Sequence, residues 1–184
     1  MSDKRILKAP FTDETIRSLR AGDMVYISGT IYTARDAAHK RLVEMLDRGE
    51  TMPFDFRGQA VYYAGPAPAK PGQPIGSVGP TTGGRMDAYS PRLIAEGLRV
   101  MIGKGTRDDN VVNALKQYTG VYFAAIGGAA ALMAQRVKKA EVIAFDELGT
   151  EAIRKLEVED FPVIVAIDCE GNNAYQSGQD AYRE

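Results

Sequence analysis

Six short runs rich in β-branched and aromatic residues alternate with helical patterns along this chain, and that alternation restricts its fold more than any other feature. The runs are residues 24–32, 60–64, 99–102, 121–126, 141–145 and 162–168. Helices are predicted between them at 12–19, 34–48, 90–96, 108–118 and 128–138. Thr12 can cap the first, with Asp13 and Glu14 in the first turn, where the helix dipole favours acids. Gly49 stops the second, and Ser90-Pro91 opens the third. Strands interleaved with helices predict an α/β domain, and 184 residues suit one domain spanning 1–184. The segment 65–74 holds Pro66, Pro68, Pro71 and Pro74 and reads as a stiff extended connection.

The net charge of −1 offers no bulk attraction to nucleic acid. No basic start followed by an apolar run is visible, and no apolar stretch reaches the roughly 18–20 residues that span a bilayer. The longest low-charge stretch, 118–135, is interrupted by Gly120, Gly127 and Gly128. The chain has one cysteine, Cys169, and one histidine, His39. A single cysteine forms no internal disulfide, which suits the reducing cytoplasm. One cysteine and one histidine also fall short of the ligands that an iron–sulfur cluster or a structural zinc needs. The expectation is therefore no metal held by this chain alone, no nucleic acid, no membrane and a cytoplasmic location.

The chemistry concentrates in three polar clusters. The first is Gly79-Pro80-Thr81-Thr82-Gly83-Gly84-Arg85-Met86-Asp87, with three glycines, adjacent hydroxyls and a cation. Its glycines let backbone approach a ligand, and the Arg85 fork matches a carboxylate or phosphate. The second is Thr30-Ile31-Tyr32-Thr33-Ala34-Arg35-Asp36-Ala37-Ala38-His39, and the third is Gly103-Lys104-Gly105-Thr106. In the helix at 34–48 the apolar stripe is Ala38, Leu42, Met45 and Leu46, and it continues toward Arg35 and His39. Arg35 in a first turn would look into a polar cavity and find an anion. Each cluster also has a plainer reading. Arg35 can pair with Asp36 or another carboxylate. His39 can be a hydrogen-bonded structural imidazole. Thr81 and Thr82 can make turns, and Lys104 can be solvated at a strand end. The methionines read as core filler and Cys169 as a small buried hydrophobe. Gly127-Gly128-Ala129 after a strand lacks the full dinucleotide fingerprint.

Taken in order, Ser28-Gly29, Thr33-Ala34-Arg35-Asp36-Ala37-Ala38-His39, Tyr63-Ala64-Gly65-Pro66, Gly79-Pro80-Thr81-Thr82 with Gly84-Arg85-Met86-Asp87, Ile102-Gly103-Lys104-Gly105 and Gly127-Gly128-Ala129-Ala130-Ala131 resemble the β subunit, or C-terminal domain, of the class I iron–sulfur fumarate hydratase and L-tartrate dehydratase family. The resemblance covers about residues 20–170, most of the chain. The departure is Gly83, where the family more usually carries Ser or Ala, which opens the question of the loop's stiffness.

The resemblance implies a swivelling β/β/α domain with a mixed central sheet and flanking helices. It implies an α subunit whose cysteines hold a 4Fe–4S cluster with one open iron, and a dimer of αβ units. It implies that Arg35, Arg85 and Lys104 grip the carboxylates of a four-carbon dicarboxylate, with Thr82 helping to bind. Thr81 would stand near the proton to be removed, activated by a carboxylate of the α subunit. Arg85 would also serve the reacting centre, and Asp36 and His39 would stand behind Arg35. The leading expectation is reversible hydration of fumarate to malate by the paired subunits. An L-tartrate dehydratase β subunit and a non-catalytic module for a small dianion are the rivals.

Overall fold

Strand pairing in this chain runs in a ring. The computed structural model describes residues 3–125 and 130–180. Its strands are β1 (Ile6–Lys8), β2 (Met24–Thr33), β3 (Ala60–Tyr62), β4 (Val100–Gly103), β5 (Val121–Ala125), β6 (Val137–Ala144) and β7 (Ile153–Ile167). Its helices are α1 (Asp13–Arg17), α2 (Asp36–Asp47), α3 (Ser90–Ala95), α4 (Asp109–Tyr118), α5 (Ala130–Gln135) and α6 (Ala174–Asp180). Two 3₁₀ turns, Gly83–Met86 and Asp146–Glu151, complete the description. The sheet order is β1-β2-β3-β4-β5-β7-β6, and β7 pairs a second time with β2. Strands β2, β3, β4, β5 and β7 thus close into a barrel, parallel from β2 to β5 and sealed by antiparallel β7. The α/β class, the mixed central sheet and the flanking helices are as expected.

Strands β3, β4 and β5 are buried on both faces, so they read as near-continuous apolar runs. Along them the side chains alternate between two cores. Ala60 and Tyr62, Val100 and Ile102, and Val121 and Phe123 face one cluster with Val163 and Val165 of β7. Val61, Met101 and Tyr122 face the other, where α2, α3 and α4 lay down Leu42, Leu93, Ile94, Val111 and Leu115. Thr12 caps α1 by accepting from the Thr15 N–H, and Asp108 caps α4 by accepting from the Val111 N–H.

Three local expectations need correction. The pattern at 128–138 predicts a helix, but among the described residues α5 stops at Gln135 and the basic segment after it is strand β6. β6 is an edge strand, and edges carry lysines such as Lys138 and Lys139 that look unlike a buried strand. Its charges face opposite charges in register, Lys139 against Glu157 and Glu141 against Lys155. Second, β7 begins at Ile153, nine residues before the predicted start at 162. Its first half alternates buried Leu156 and Val158 with charged residues, and the register slips around Asp160 beside Pro162. A proline next to such a bulge does not interrupt the ladder. Third, the short elements β1 and α6 were not anticipated. Gly127-Gly128-Ala129 lies outside the described residues. No helix among the described residues is long and apolar enough to cross a membrane.

Phe161 lies where the barrel closes, fully buried and edge-on to Tyr62 with ring centroids 5.2 Å apart. Phe161→Ala is expected to cost about 3–5 kcal/mol in urea unfolding. A loss no larger than the roughly 0.5 kcal/mol typical of surface changes would show that the closure does not lean on it.

Candidate active site at the rim of the barrel

The parallel strands all point their C-terminal ends to one rim, the usual place for ligand-binding loops in such sheets. Arg35 and Asp36 follow β2, Tyr63 and Gly65 follow β3, and Lys104 follows β4. The segment carrying Thr81 and Thr82 returns to this rim and is stitched between the last two. Thr81 N–H donates to the Tyr63 carbonyl at 2.6 Å, and Lys104 N–H donates to the Thr81 carbonyl at 3.2 Å. Gly83 N–H donates to the Lys104 carbonyl at 2.7 Å, and Thr82 bridges Lys104 as in a parallel ladder. The segment thus acts as a short extra strand wedged between the ends of β3 and β4. Immediately after it, the 3₁₀ turn presents Arg85.

Arg35 and Arg85 converge on one carboxylate. Arg85 Nε donates to Asp36 Oδ1 at 3.1 Å, joining residues 49 apart in sequence. Arg35 Nε lies 3.9 Å from Asp36 Oδ2, which is an ion pair but too long for a hydrogen bond. Both of those atoms are buried and have no hydrogen-bond partner. Gly65 makes the approach of Arg35 feasible, because a Cβ there would sit 3.0 Å from Arg35 Nη1. Arg35 keeps 26% of its side chain exposed and Arg85 keeps 53%. Lys104 is exposed, and its backbone is tied to Thr82 and Gly83. The three cations expected at one site therefore lie on adjoining segments of one rim. Arg35 also has the partner that its plainer reading anticipated.

The position of Arg35 differs from expectation. It is the N-cap of α2 and not in its first turn, and its carbonyl accepts the His39 N–H at 2.9 Å. The Ala37 N–H is already matched by Glu151 Oε1 at 3.3 Å, so the helix end offers a ligand less than its sequence suggests. On the stripe of α2, Ala38, His39 and Leu42 are buried, whereas Met45 and Leu46 are only partly so.

His39 is fully enclosed. Its Nδ1 lies 2.8 Å from the Arg35 carbonyl, so that nitrogen carries the proton and donates. The ring meets Tyr63 edge-on at 5.2 Å. Burial dominates and pushes its pKa down from 6.5 to about 4, with nearby Arg107 adding to the fall. The bond to the Arg35 carbonyl and the charge of Asp36 oppose it. His39 is therefore a neutral strut beneath Arg35 near pH 7.

Sequence reasoning missed the buried Arg107. Its Nε donates to Asp87 Oδ1 at 2.6 Å and its Nη2 to Ser90 Oγ at 2.8 Å. Its guanidinium lies 4.7 Å from the Tyr122 ring centroid and 5.2 Å from that of Tyr63. Asp87 Oδ2 accepts the Asp108 N–H at 2.9 Å. The one available signal was an arginine sandwiched between a Gly-rich strand end and the cap of α4, and it reads as a surface cation.

Cys169 stands at the opposite pole. It follows the end of β7, which pairs with the starts of β2 and β5, Met24 with Ile164 and Tyr122 with Ile167. Burial and the neighbouring Asp168 and Glu170 push its thiol pKa up. Among the described residues no three His, Cys, Asp or Glu side chains stand close enough together to hold a metal ion. The donor set at the rim is cationic and hydroxylic, which suits an anion and does not suit a metal cluster.

The chain belongs to the fumarase C-terminus family, whose model matches residues 2–178. It is 45% identical over 155 residues to the aerobic class I fumarate hydratase of Salmonella typhimurium, covering 83% of this chain and 27% of that one. It is 43% identical over 156 residues to fumarate hydratase 2 of Leishmania major, covering 84% of this chain and 28% of that one. A Methanocaldococcus jannaschii protein, provisionally named L(+)-tartrate dehydratase subunit beta, is 41% identical over 171 residues. That match covers 90% of this chain and 88% of its relative. The chain thus spans little more than a quarter of these two fumarate hydratases, and most of the protein named as a tartrate dehydratase subunit. Both names are those of hydro-lyases.

Because the chain holds a single histidine, its imidazole proton resonances can be followed alone. Their midpoint is expected near pH 4. The unfolded pKa is near 6.5, so the unfolded state binds the extra proton first as pH falls. Stability should be full above about pH 6.5 and decline toward pH 4, by roughly 3 kcal/mol in all. A midpoint near 6.5, or a stability curve flat across that window, would show that the ring is not enclosed.

Proposed function

We propose that this chain acts as one unit, the β subunit of a two-component hydro-lyase that reversibly hydrates fumarate to malate. The observation that carries the reading is the convergence of Arg35 and Arg85, from separate loops, on Asp36 at the rim, with Arg35 Nε buried and unmatched. A carboxylate of a substrate would meet the part of Arg35 that stays exposed, and a charge-assisted bond of this kind is among the stronger ones. Arg85 and Lys104 would take the second carboxylate, with Thr82 binding beside them. A fork and a fixed cation are the partners that charge spreading into a carboxylate requires. Neutral His39 would hold Arg35 by its carbonyl, and Asp36 would space the two guanidiniums.

Thr81 would stand at the proton lost from carbon 3. A threonine hydroxyl is a weak base, so a carboxylate on the partner subunit would have to activate it. Its backbone, bonded on both sides by Tyr63 and Lys104, suits a group that must not drift. The 4Fe–4S cluster would reside on the α subunit, because this chain lacks the thiolates for it, and it would act as a Lewis acid on the departing hydroxyl. The subunit arrangement is supported by the M. jannaschii relative, which matches along nearly its full length and carries a subunit name. The same relative favours L-tartrate dehydration as the second reading, since both substrates present two carboxylates to the same cations. A dimer of such pairs in a reducing cytoplasm completes the proposal.

The test is reconstitution with the α subunit under anaerobic conditions, assayed with fumarate, malate and tartrate. The chain alone is expected to be inactive, and the pair active. Arg85→Ala should lower kcat/KM by about 10²–10³-fold while the fold persists, since half of that side chain is in water. Activity of the chain without a partner, or an unaffected Arg85→Ala enzyme, would defeat the reading. Dicarboxylate binding without turnover in the pair would leave a non-catalytic dianion module in its place.

A further inference from the structure

Arg107 is buried beneath the loop that carries Thr82 and Arg85, and it touches both ends of the 3₁₀ turn. At the start of the turn, Gly83 lies against it. A Cβ on Gly83 would collide with Tyr122 Oη and come within 2.9 Å of Arg107 Cδ. At the end of the turn, Asp87 takes the Arg107 Nε–H. Ser90 Oγ, which accepts from Arg107 Nη2, donates to the carbonyl of Met86, the last residue of the turn. Tyr63 Oη lies 3.2 Å from the same Ser90 Oγ. Tyr122 Oη donates to the Gly105 carbonyl, tying in the strand end beside Lys104. None of the Arg107 side chain is exposed, and Asp87 keeps 14%.

A buried ion pair is weak evidence for stability, because desolvation can cancel the attraction and apolar residues often do as well. This pair has a different effect that geometry makes explicit. It ties down Asp87 at the end of a four-residue turn that carries the half-exposed Arg85. We infer that Arg107, through Asp87 and the close fit of Gly83, is a positioning residue that holds Thr82 and Arg85 in place for the dicarboxylate. The inference rests on the proposed hydro-lyase reading for its substrate but not for its structural content.

The test uses the full chain, alone and paired with the α subunit. Arg107→Met combined with Asp87→Asn removes both charges together, so no lone charge is left inside. Gly83→Ala leaves the pair intact and displaces the turn, and adding Tyr122→Phe removes the hydroxyl that the new methyl would strike. Hydrogen exchange on the chain alone should show the Gly83, Arg85 and Asp87 amides exchanging about tenfold faster or more in both variants, with barrel amides unchanged. In the pair, kcat/KM for fumarate should fall about 10²-fold when Arg107 and Asp87 are both replaced, the loss expected of a misplacement near 1 Å. Arg107→Lys, which keeps the charge but loses the fork, should fall between. Faster exchange spread evenly over barrel and turn would reduce Arg107 to a structural residue and overturn the inference. So would normal kinetics with a loosened turn. An unsubstituted pair inert to fumarate and tartrate would defeat the proposed function instead, and exchange on the chain alone would still decide the role of Arg107.

Discussion

The double pairing of β7 is the constraint on which the rest of the molecule depends. One edge of this strand meets β2 and the other meets β5, so the sheet returns on itself. An open sheet would spread the loops after β2, β3 and β4 along a line. Closure curves them around one rim and brings Asp36 within hydrogen-bonding distance of Arg85, 49 residues away. The two cores follow from the same closure, since each strand must satisfy an inner and an outer face with alternate side chains.

Electrostatics at the rim is organised by what is allowed to carry charge. Arg35, Arg85 and Arg107 are permanent cations, and Asp36 and Asp87 are their carboxylate partners. A protonated His39 would add a fourth cation in the same region without a partner of its own. Burial forbids it, and the ring serves as a neutral donor to a carbonyl instead. The cost of this economy falls on Arg35 Nε and Asp36 Oδ2, which are buried and unmatched. Unmatched buried polar atoms cost free energy, roughly 1–3 kcal/mol each, and persist where surrounding structure imposes them. Here the fold has left one donor and one acceptor unsatisfied together, and on the proposed reading it is the exposed parts of Arg35 and Arg85 beside them that would take an anion.

The residues that were legible in the sequence share a property. Arg35, Thr81, Thr82, Arg85 and Lys104 stand in glycine-containing or capped segments where an apolar pattern breaks off, and such breaks are visible in one dimension. Strands β3, β4 and β5 were equally visible because burial on both faces makes them continuous apolar runs. What stayed hidden depends on partners far away. β6 and the first half of β7 are half polar, and only their mutual pairing makes strands of them. Barrel closure leaves no trace in local periodicity. Arg107 looks like a solvated cation until Asp87, Ser90, Tyr63 and Tyr122 are folded around it. Gly83 looks merely permissive in sequence, yet in the fold a Cβ there would press on the Tyr122 hydroxyl and the Arg107 stem, so a larger residue would need both side chains to shift.

The exposure of the rim bears on how such a site would work. Half of the Arg85 side chain faces water, and Lys104 is exposed. In water a cation 4 Å from a carboxylate contributes only about 1 kcal/mol, against about 4 kcal/mol at the lower effective dielectric of a protein surface. An exposed rim would therefore bind a dicarboxylate weakly and polarise it little. On the proposed reading the second subunit does more than carry iron. By covering the rim it would strip water from Arg85 and Lys104 and strengthen the charges this chain already holds in place. At the opposite pole, where Cys169 is half-buried, the nearby cations are already paired within the chain, Arg20 with Glu170 and Arg99 with Asp13, so covering that end would expose no free charge to a ligand.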